Sequence, residues 1–285
     1  MSSRKGRANG RAEAVILVLL IAILIGVSLW LVRARPYWLP ELGTSDSVPQ
    51  AIDNLFNLTL LITGIAFLVT HGLLAYFIWH YRAQPGERAA YWTDDHRLEI
   101  AWTIVPVLIL IALVVMGARM WSQARLVEPK NALRVEVTGI QFDWIIRYPG
   151  EDGIFGERDA KHSFTSEGDY LDYNKLGLNE DDPNAQDDIV IETGLLHLPA
   201  GQPVIIDIRS NDVIHSFFLP QFRVKQDAVP GMTTRVWFNP TKPGTYEIAC
   251  AELCGLGHYK MRGLMTIENP EDFDAWMEDQ VAFGE

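Results

Sequence analysis

The sequence predicts a membrane-anchored α + β protein, with two or three transmembrane helices followed by a β-sandwich. Three observations carry this. The first 121 residues hold three long apolar runs, and after Trp121 the hydrophobic pattern changes from helical to alternating. Charge divides at the same boundary: residues 1–121 carry 10 Lys+Arg and 8 Asp+Glu, whereas residues 122–285 carry 14 and 28. A slightly basic apolar anchor is thus joined to a strongly acidic polar domain, a field that repels nucleic acid and attracts basic proteins.

The apolar runs are Ala14 to Val32, Leu55 to Trp79, and Ile100 to Gly117, the last reaching about Trp121 if Arg119 snorkels. About 20 residues at ~1.5 Å each cross a bilayer core. The second and third runs are predicted as a transmembrane hairpin within residues 33–121, with helices at about 55–80 and 99–121. Tyr76, Trp79, Tyr81, Trp92, Trp102 and Trp121 stand at their ends, where interfacial aromatics belong. The first run, within residues 1–32, follows Arg4, Lys5, Arg7 and Arg11. That leaves two readings, a signal peptide or an additional helix; the absence of a clear small-x-small cleavage site favours the helix. Those basic residues, with Arg82, Arg88 and Arg97 in the loop between the later runs, put the N-terminus and that loop inside and everything after about residue 122 outside; Arg33 and Arg35 count against this. Pro106 predicts a kink in the third helix. His71 lies mid-membrane, where an ionisable residue is a functional candidate; packing against a partner subunit is the favoured reading.

In residues 122–285, Leu133–Thr138 alternates apolar with polar as a half-buried strand does. Phe142–Tyr148, Val204–Ile208, Thr234–Phe238, Thr245–Ile248 and Leu264–Ile267 read as further strands, several ended by Pro/Gly turns. Many short strands at such spacing make a sandwich or barrel. Residues 150–188, rich in Asp, Glu, Gly and Asn with scattered Phe155, Phe164, Tyr170 and Tyr173, read as a long acidic excursion between strands. Asn269-Pro270-Glu271-Asp272 is a helix start, predicting a helix over about 270–281 that packs Phe273, Trp276 and Met277.

The chemistry lies in Cys250-Ala251-Glu252-Leu253-Cys254-Gly255-Leu256-Gly257-His258-Tyr259-Lys260-Met261. Thiolate, thioether and imidazole together suit copper, and the methionine argues against structural zinc. Gly255 and Gly257 are expected to turn the backbone so that His258 and Met261 point back toward the sulfurs. His215, expected at the end of an upstream strand, supplies a second imidazole. Two cysteines four apart can bridge two coppers, each with one imidazole and a weak axial ligand: Met261 for one, the Glu252 carbonyl for the other. A mononuclear blue copper site needs one cysteine only. The competing reading is a Cys250–Cys254 disulfide. His162 and His197 are expected in loops, solvated.

These residues resemble cytochrome c oxidase subunit II, the copper A (CuA) subunit of haem–copper terminal oxidases. The pattern Cys-x-Glu-x-Cys-Gly-x-x-His-x-x-Met is complete at 250–261; Asp212–Ser216, Asp227–Gly231 and Glu99–Pro106 are also similar to the family. The resemblance implies a cupredoxin-like Greek-key β-sandwich at 122–285, on the periplasmic side of a bacterial inner (plasma) membrane, with 150–188 as an acidic insertion. It implies dinuclear copper on His215, Cys250, Glu252, Cys254, His258 and Met261, and a magnesium or manganese ion reached by the Glu252 carboxylate. The implied partners are a haem-bearing catalytic subunit I, a soluble or membrane-attached cytochrome c, and membrane lipid. The implied activity is electron acceptance from cytochrome c for oxygen reduction coupled to proton translocation. Glu99 would sit at a proton-path entrance, or simply be favoured by the helix dipole. In Gln141-Phe142-Asp143-Trp144, Phe142 takes the electron-accepting place that the family usually gives to tryptophan, with Trp144 beside it, which puts the usual donor in doubt. The chain carries no Cys-x-x-Cys-His, hence no c-type haem of its own. A membrane-anchored copper chaperone is the alternative, disfavoured by Met261, Glu252 and the all-β pattern. A quinol oxidase subunit typically lacks these ligands, and a nitrous oxide reductase needs a propeller for which there is no room.

Overall fold

The computed structural model describes residues 10–34, 39–81, 86, 88, 90–163 and 174–284. Arg4, Lys5, Arg7, Arg35, Arg82, Phe164, Tyr170 and Tyr173 lie outside the described residues. The chain divides into two units: a helical one ending at Pro40 and resuming over Asp53–Arg119, and a β-rich one of Glu41–Ile52 and Met120–Glu285.

The helices are α1 (Gly10–Ala34), α2 (Ser47–His80) and α3 (His96–Arg125). All three are long and apolar enough to cross a membrane, and at most 6% of each apolar window is buried within the chain. Their side chains therefore need lipid or protein around them. The helix expected from about 55 begins at Ser47 instead. Asp46 accepts the Ser47 hydroxyl and the Val48 N–H, and Pro49 suits a first turn. Helical bonding needs no apolar side chain, so α2 starts before its apolar run does. Likewise Asp95 accepts from the N–H groups of Arg97 and Leu98 and starts α3 ahead of its apolar run. The third helix continues through Pro106 to Arg125.

The β-rich unit holds ten strands: β1 (Leu133–Ile140), β2 (Asp143–Tyr148), β3 (Ile189–Ile191), β4 (Leu195–Pro199), β5 (Val204–Ser210), β6 (His215–Leu219), β7 (Val224–Ala228), β8 (Thr234–Phe238), β9 (Gly244–Cys250) and β10 (Arg262–Glu268). They form two five-stranded sheets, ordered β3-β2-β1-β5-β8 and β4-β10-β9-β6-β7. β1–β5 and β4–β10 pair in parallel; the remaining pairs are antiparallel. Val135, Val137, Trp144, Ile146, Ile206 and Ile208 of the first sheet meet Leu196, Leu198, Phe217, Ile248, Met265 and Ile267 of the second in one core. α5 (Pro270–Glu278) closes it with buried Phe273 and partly buried Trp276 and Met277. Asn269 stands at its N-cap in extended conformation, but its side chain turns to the Asp272 carboxylate.

Four strands escaped the sequence pattern. β6 reads His-Ser-Phe-Phe-Leu without alternation because both its faces are covered, and β7, Val-Lys-Gln-Asp-Ala, is a polar edge strand. β3 is three residues long, and β4 ends in proline. His197, expected in a solvated loop, lies in β4 with its ring stacked 4.2 Å from Trp276 and its Nδ1 3.2 Å from Glu268. His162 also departs from expectation: it lies in a short helical turn with its Nε2 buried.

The acidic stretch is packed where it is described. Ile145, Leu176, Leu178 and Ala185 form a second apolar cluster, Arg158 bridges Leu178 in antiparallel fashion, and Asp182 caps α4 (Pro183–Gln186) through the Asn184 N–H. This segment lies over the outer face of the first sheet, so the alternate residues of β1 that pattern assigns to water are buried too. Glu136, 3% exposed, receives Arg147 at 3.3 Å, Arg158 at 2.5 Å and Arg209 at 2.8 Å. Asp188 is held by Arg147 at 2.8 Å, and Asp207 by Arg134 and Arg235 at 2.6 Å each. The Phe155 ring lies 4.9 Å from the Arg147 guanidinium.

Candidate metal centre

Two elements of the second sheet build the centre. β6 and β9 pair with Phe217 opposite Cys250, which brings His215, at the start of β6, beside the loop that leaves β9. His215 thus opens a strand rather than ending one. The loop after Cys250 turns at Gly255, whose φ of 131° only glycine adopts freely. Gly257 has ordinary backbone angles; it is glycine because a Cβ there would meet the Phe142 ring at 2.3 Å. A short turn, His258–Lys260, then returns Met261 to the core.

The donors converge. The Cys254 sulfur lies 3.9 Å from the Cys250 sulfur, 3.6 Å from His258 Nδ1 and 3.7 Å from Met261 Sδ. His215 Nδ1 is 3.1 Å from Met261 Sδ, and the donor atoms of His215, Cys250 and Cys254 all lie within 4.8 Å of one another. The Glu252 carbonyl is 3.2 Å from the Cys250 sulfur, while the residue as a whole is exposed. Both cysteines are free. Their 3.9 Å separation is far beyond a disulfide bond of ~2.05 Å. It is less than twice a metal–thiolate bond of ~2.3 Å, so one metal atom can bond both. Soft donors in a largely buried setting fit copper. Burial, with the Cys250 sulfur alongside, pushes the Cys254 thiol up to about 11; at neutral pH it keeps its proton until a bound cation displaces it.

Groups around the donors fix their orientation. The His215 Nε2 lies 2.7 Å from Asp212 Oδ1, which leaves Nδ1 facing the sulfurs. Asp212 Oδ2 accepts from the Gln141 N–H at 2.6 Å, and the Gln141 side chain donates to the Cys254 carbonyl at 2.6 Å. Gly139 packs on the His215 ring, where a Cβ would stand 2.8 Å from Cδ2. Sequence reasoning assigned no role to Asp212, Gln141 or Gly139; the Asp-x-x-His spacing at 212–215 was the available signal for the first.

Phe142 is half-buried against Gly255 and Gly257, at the edge of the centre. Trp144 differs from a surface electron acceptor: it is fully buried, with its ring edge-on to His215 at 6.0 Å and to Phe217 at 5.6 Å. Trp144 is the second residue of β2 and points into the core between the sheets, against which Phe142, just before the strand, packs only in part. Glu99 lies in the first turn of α3, apart from this unit, with its carboxylate 3.7 Å from His96. The ring of His71, in α2, has Nδ1 2.9 Å from the Phe67 carbonyl, so that nitrogen is used within its own helix.

Comparison with known proteins shows the family. Residues 133–267 match the family described as cytochrome C oxidase subunit II, periplasmic domain, and residues 42–119 match the corresponding transmembrane domain. The chain is 39% identical to the alternative cytochrome c oxidase subunit 2 of Bradyrhizobium diazoefficiens, covering 95% of this chain and 93% of that protein. It is 32% identical to cytochrome c oxidase subunit 2 of Thermostichus vulcanus, covering 86% and 79%. Among solved structures, the periplasmic domain of subunit II of cytochrome oxidase (CoxB) of Bradyrhizobium japonicum is 29% identical, with a TM-score of 0.37, over 53% of this chain and 94% of that one. The chain, with its apolar helices, its β-domain and its converging thiols and imidazoles, belongs to the cytochrome c oxidase subunit II family.

Proposed function

We propose that this chain accepts electrons from a cytochrome c at a dinuclear copper centre and delivers them to haem in a catalytic subunit I, where oxygen is reduced and protons are moved. The observation that carries the reading is two free thiols 3.9 Å apart, joined by two imidazoles and a thioether around one point. Copper bound there supplies reversible one-electron transfer. His215, Cys250, Cys254, His258 and Met261 hold it by side chains and Glu252 by its carbonyl. Asp212 and Gly139 keep the His215 ring from turning, Trp144 and Phe217 exclude water behind it, and the strand pairing β6–β9 locks the spacing. Donors held this firmly change position little when charge changes, which favours fast transfer.

The surface near the centre suits protein partners. Leu253, Leu256 and Tyr259 in the ligand loop are 77%, 98% and 78% exposed, an apolar group that association would cover. The exposed Glu252 carboxylate is assigned to a magnesium or manganese ion shared with subunit I, Glu99 to a proton-path entrance, and half-buried Phe142 to electron acceptance. The basic residues flanking the apolar helices support a β-rich unit on the non-cytoplasmic side, which in this reading is the periplasmic side of a bacterial inner membrane.

Copper analysis and electron paramagnetic resonance of the purified oxidase test this. Two coppers in this chain, sharing one unpaired electron, are expected; a single-copper spectrum sinks the dinuclear assignment. Replacing Phe142 by Ala is expected to slow donor oxidation without changing that spectrum.

A further inference from the structure

We infer that the acidic stretch 150–188 serves as a brace on the copper site, acting through Arg158 and Asn211 as positioning residues for His215. The inference rests on the metal assignment above for its consequence, but its geometry stands by itself.

Arg158 is the junction. Its Nε donates to the Leu176 carbonyl at 3.0 Å, tying the two described halves of the stretch together. Its Nη1 reaches Glu136 at 2.5 Å and Thr138 at 3.0 Å in β1. Its Nη2 donates to the Asn211 side-chain oxygen at 3.1 Å, and the Asn211 side-chain amide donates to the Lys175 carbonyl at 2.7 Å. The Asn211 side chain therefore accepts a bond from one half of the stretch and donates one to the other. Its own N–H donates to the Gly139 carbonyl at 3.2 Å.

Asn211 adjoins Asp212, whose carboxylate holds His215 Nε2, and Gly139 is the residue on which the His215 ring packs. The corner 210–214 has few other constraints. Asn211, Asp212 and Ile214 are exposed; besides the Gln141 N–H on the Asp212 carboxylate and a bridge from Ser210 to Pro230, the remaining bonds are local ones among Ser210, Asp212 and Val213. A carboxylate on the far nitrogen of a ligating imidazole sets ring orientation and raises ligand basicity. Anchoring the residue next to that carboxylate is how a distant stretch of chain reaches the metal. The strong ion pairs at Glu136 make Arg158 a fixed point, since its guanidinium is largely buried with its position set by the sheet.

Amide hydrogen exchange and potentiometry on the full-length chain in its oxidase test the brace, using Arg158→Gln, Asn211→Ala and a control, Lys161→Ala, which breaks only the exposed Lys161–Asp159 pair. Both brace variants are expected to quicken exchange at residues 210–216 about tenfold, with or without copper, as for loss of a hydrogen bond to a charged group. With copper bound, looser support for the Asp212–His215 contact favours the reduced state. A threefold change in relative affinity raises the potential by about 28 mV, at 59 mV per tenfold. The control is expected to change neither. Faster exchange confined to 156–163 and 174–178, with 210–216 and the potential as in the parent, overturns the brace. Asn211 is exposed, so Asn211→Ala decides alone if Arg158→Gln does not fold. A parent chain that binds no copper yet responds at 210–216 removes the metal assignment and leaves the brace; a mixed-valence copper pair with no response at 210–216 does the reverse.

Discussion

The two sheets of the β-domain bury polar groups in opposite ways. At the end of the second sheet, the donors are two thiols, two imidazoles and a thioether, with the Asp212 carboxylate on the far nitrogen of His215. On the outer face of the first sheet, Glu136, Asp188 and Asp207 are met by Arg134, Arg147, Arg158, Arg209 and Arg235. On the ionic face opposite charges meet within the chain; the sulfur-rich cluster gathers ligand atoms that could hold a metal ion. Burying ionised groups costs far more than burying thiols or a thioether, and the arginines and carboxylates offset that cost by pairing with one another.

That contrast can be broken from either side. The largest effect is expected at the sulfurs. Cys254→Ser removes the donor that lies within 3.9 Å of three of the other four, and should abolish copper binding and oxidase activity while the fold persists, as checked by metal analysis and circular dichroism. On the ionic face, Glu136→Gln should unfold rather than inactivate, because it leaves the Arg158 guanidinium buried without a carboxylate. Breaking a buried pair in this way costs ~3–5 kcal/mol, to be read from denaturant unfolding of the full chain.

Gly139→Ala tests where the two faces meet, since β1 carries Glu136 outward and Gly139 toward His215. A Cβ 2.8 Å from the imidazole must push the ring or the strand, at a cost of ~1–3 kcal/mol. The expected readout is an altered copper spectrum with retained copper.

The smallest effect is a pH dependence at Asp207. Burial pushes its carboxyl up, but Arg235 and Arg134 outweigh that and hold it below the ordinary carboxylate range. Its ion pairs therefore stabilise the fold above the unfolded-state value of 3.8, and the contribution is lost as pH falls below it through the folded value. Asp207→Asn should flatten the acid side of the stability curve by roughly 1 kcal/mol. An unchanged acid limb would count against the pairing.

The ligand loop was legible because its chemistry is contiguous: Cys250, Glu252, Cys254, His258 and Met261 sit within twelve residues, and rare soft donors at short spacing have few other uses. The apolar helices were legible for a similar reason, since lipid demands an unbroken run of one kind of side chain. The start of α2 at Ser47 was not, because capping by Asp46 leaves no hydrophobic trace. Strands β6 and β7 were hidden by full burial and by edge polarity. Trp144, beside Phe142 in sequence, went into the core between the sheets as the second residue of β2.

By itself, then, the order of residues determined the apolar spans, the all-β character of the second half and the set of donor atoms, each a property of neighbours along the chain. Only the tertiary structure decided which way His215 faces, that Asp212 and Gly139 hold it there, and that the described parts of the acidic stretch pack on the sheet. Those outcomes depend on contacts between residues tens of positions apart. Glu136 and Arg158 read as ordinary surface residues until packing removes the water from around them, and the charges must then find one another.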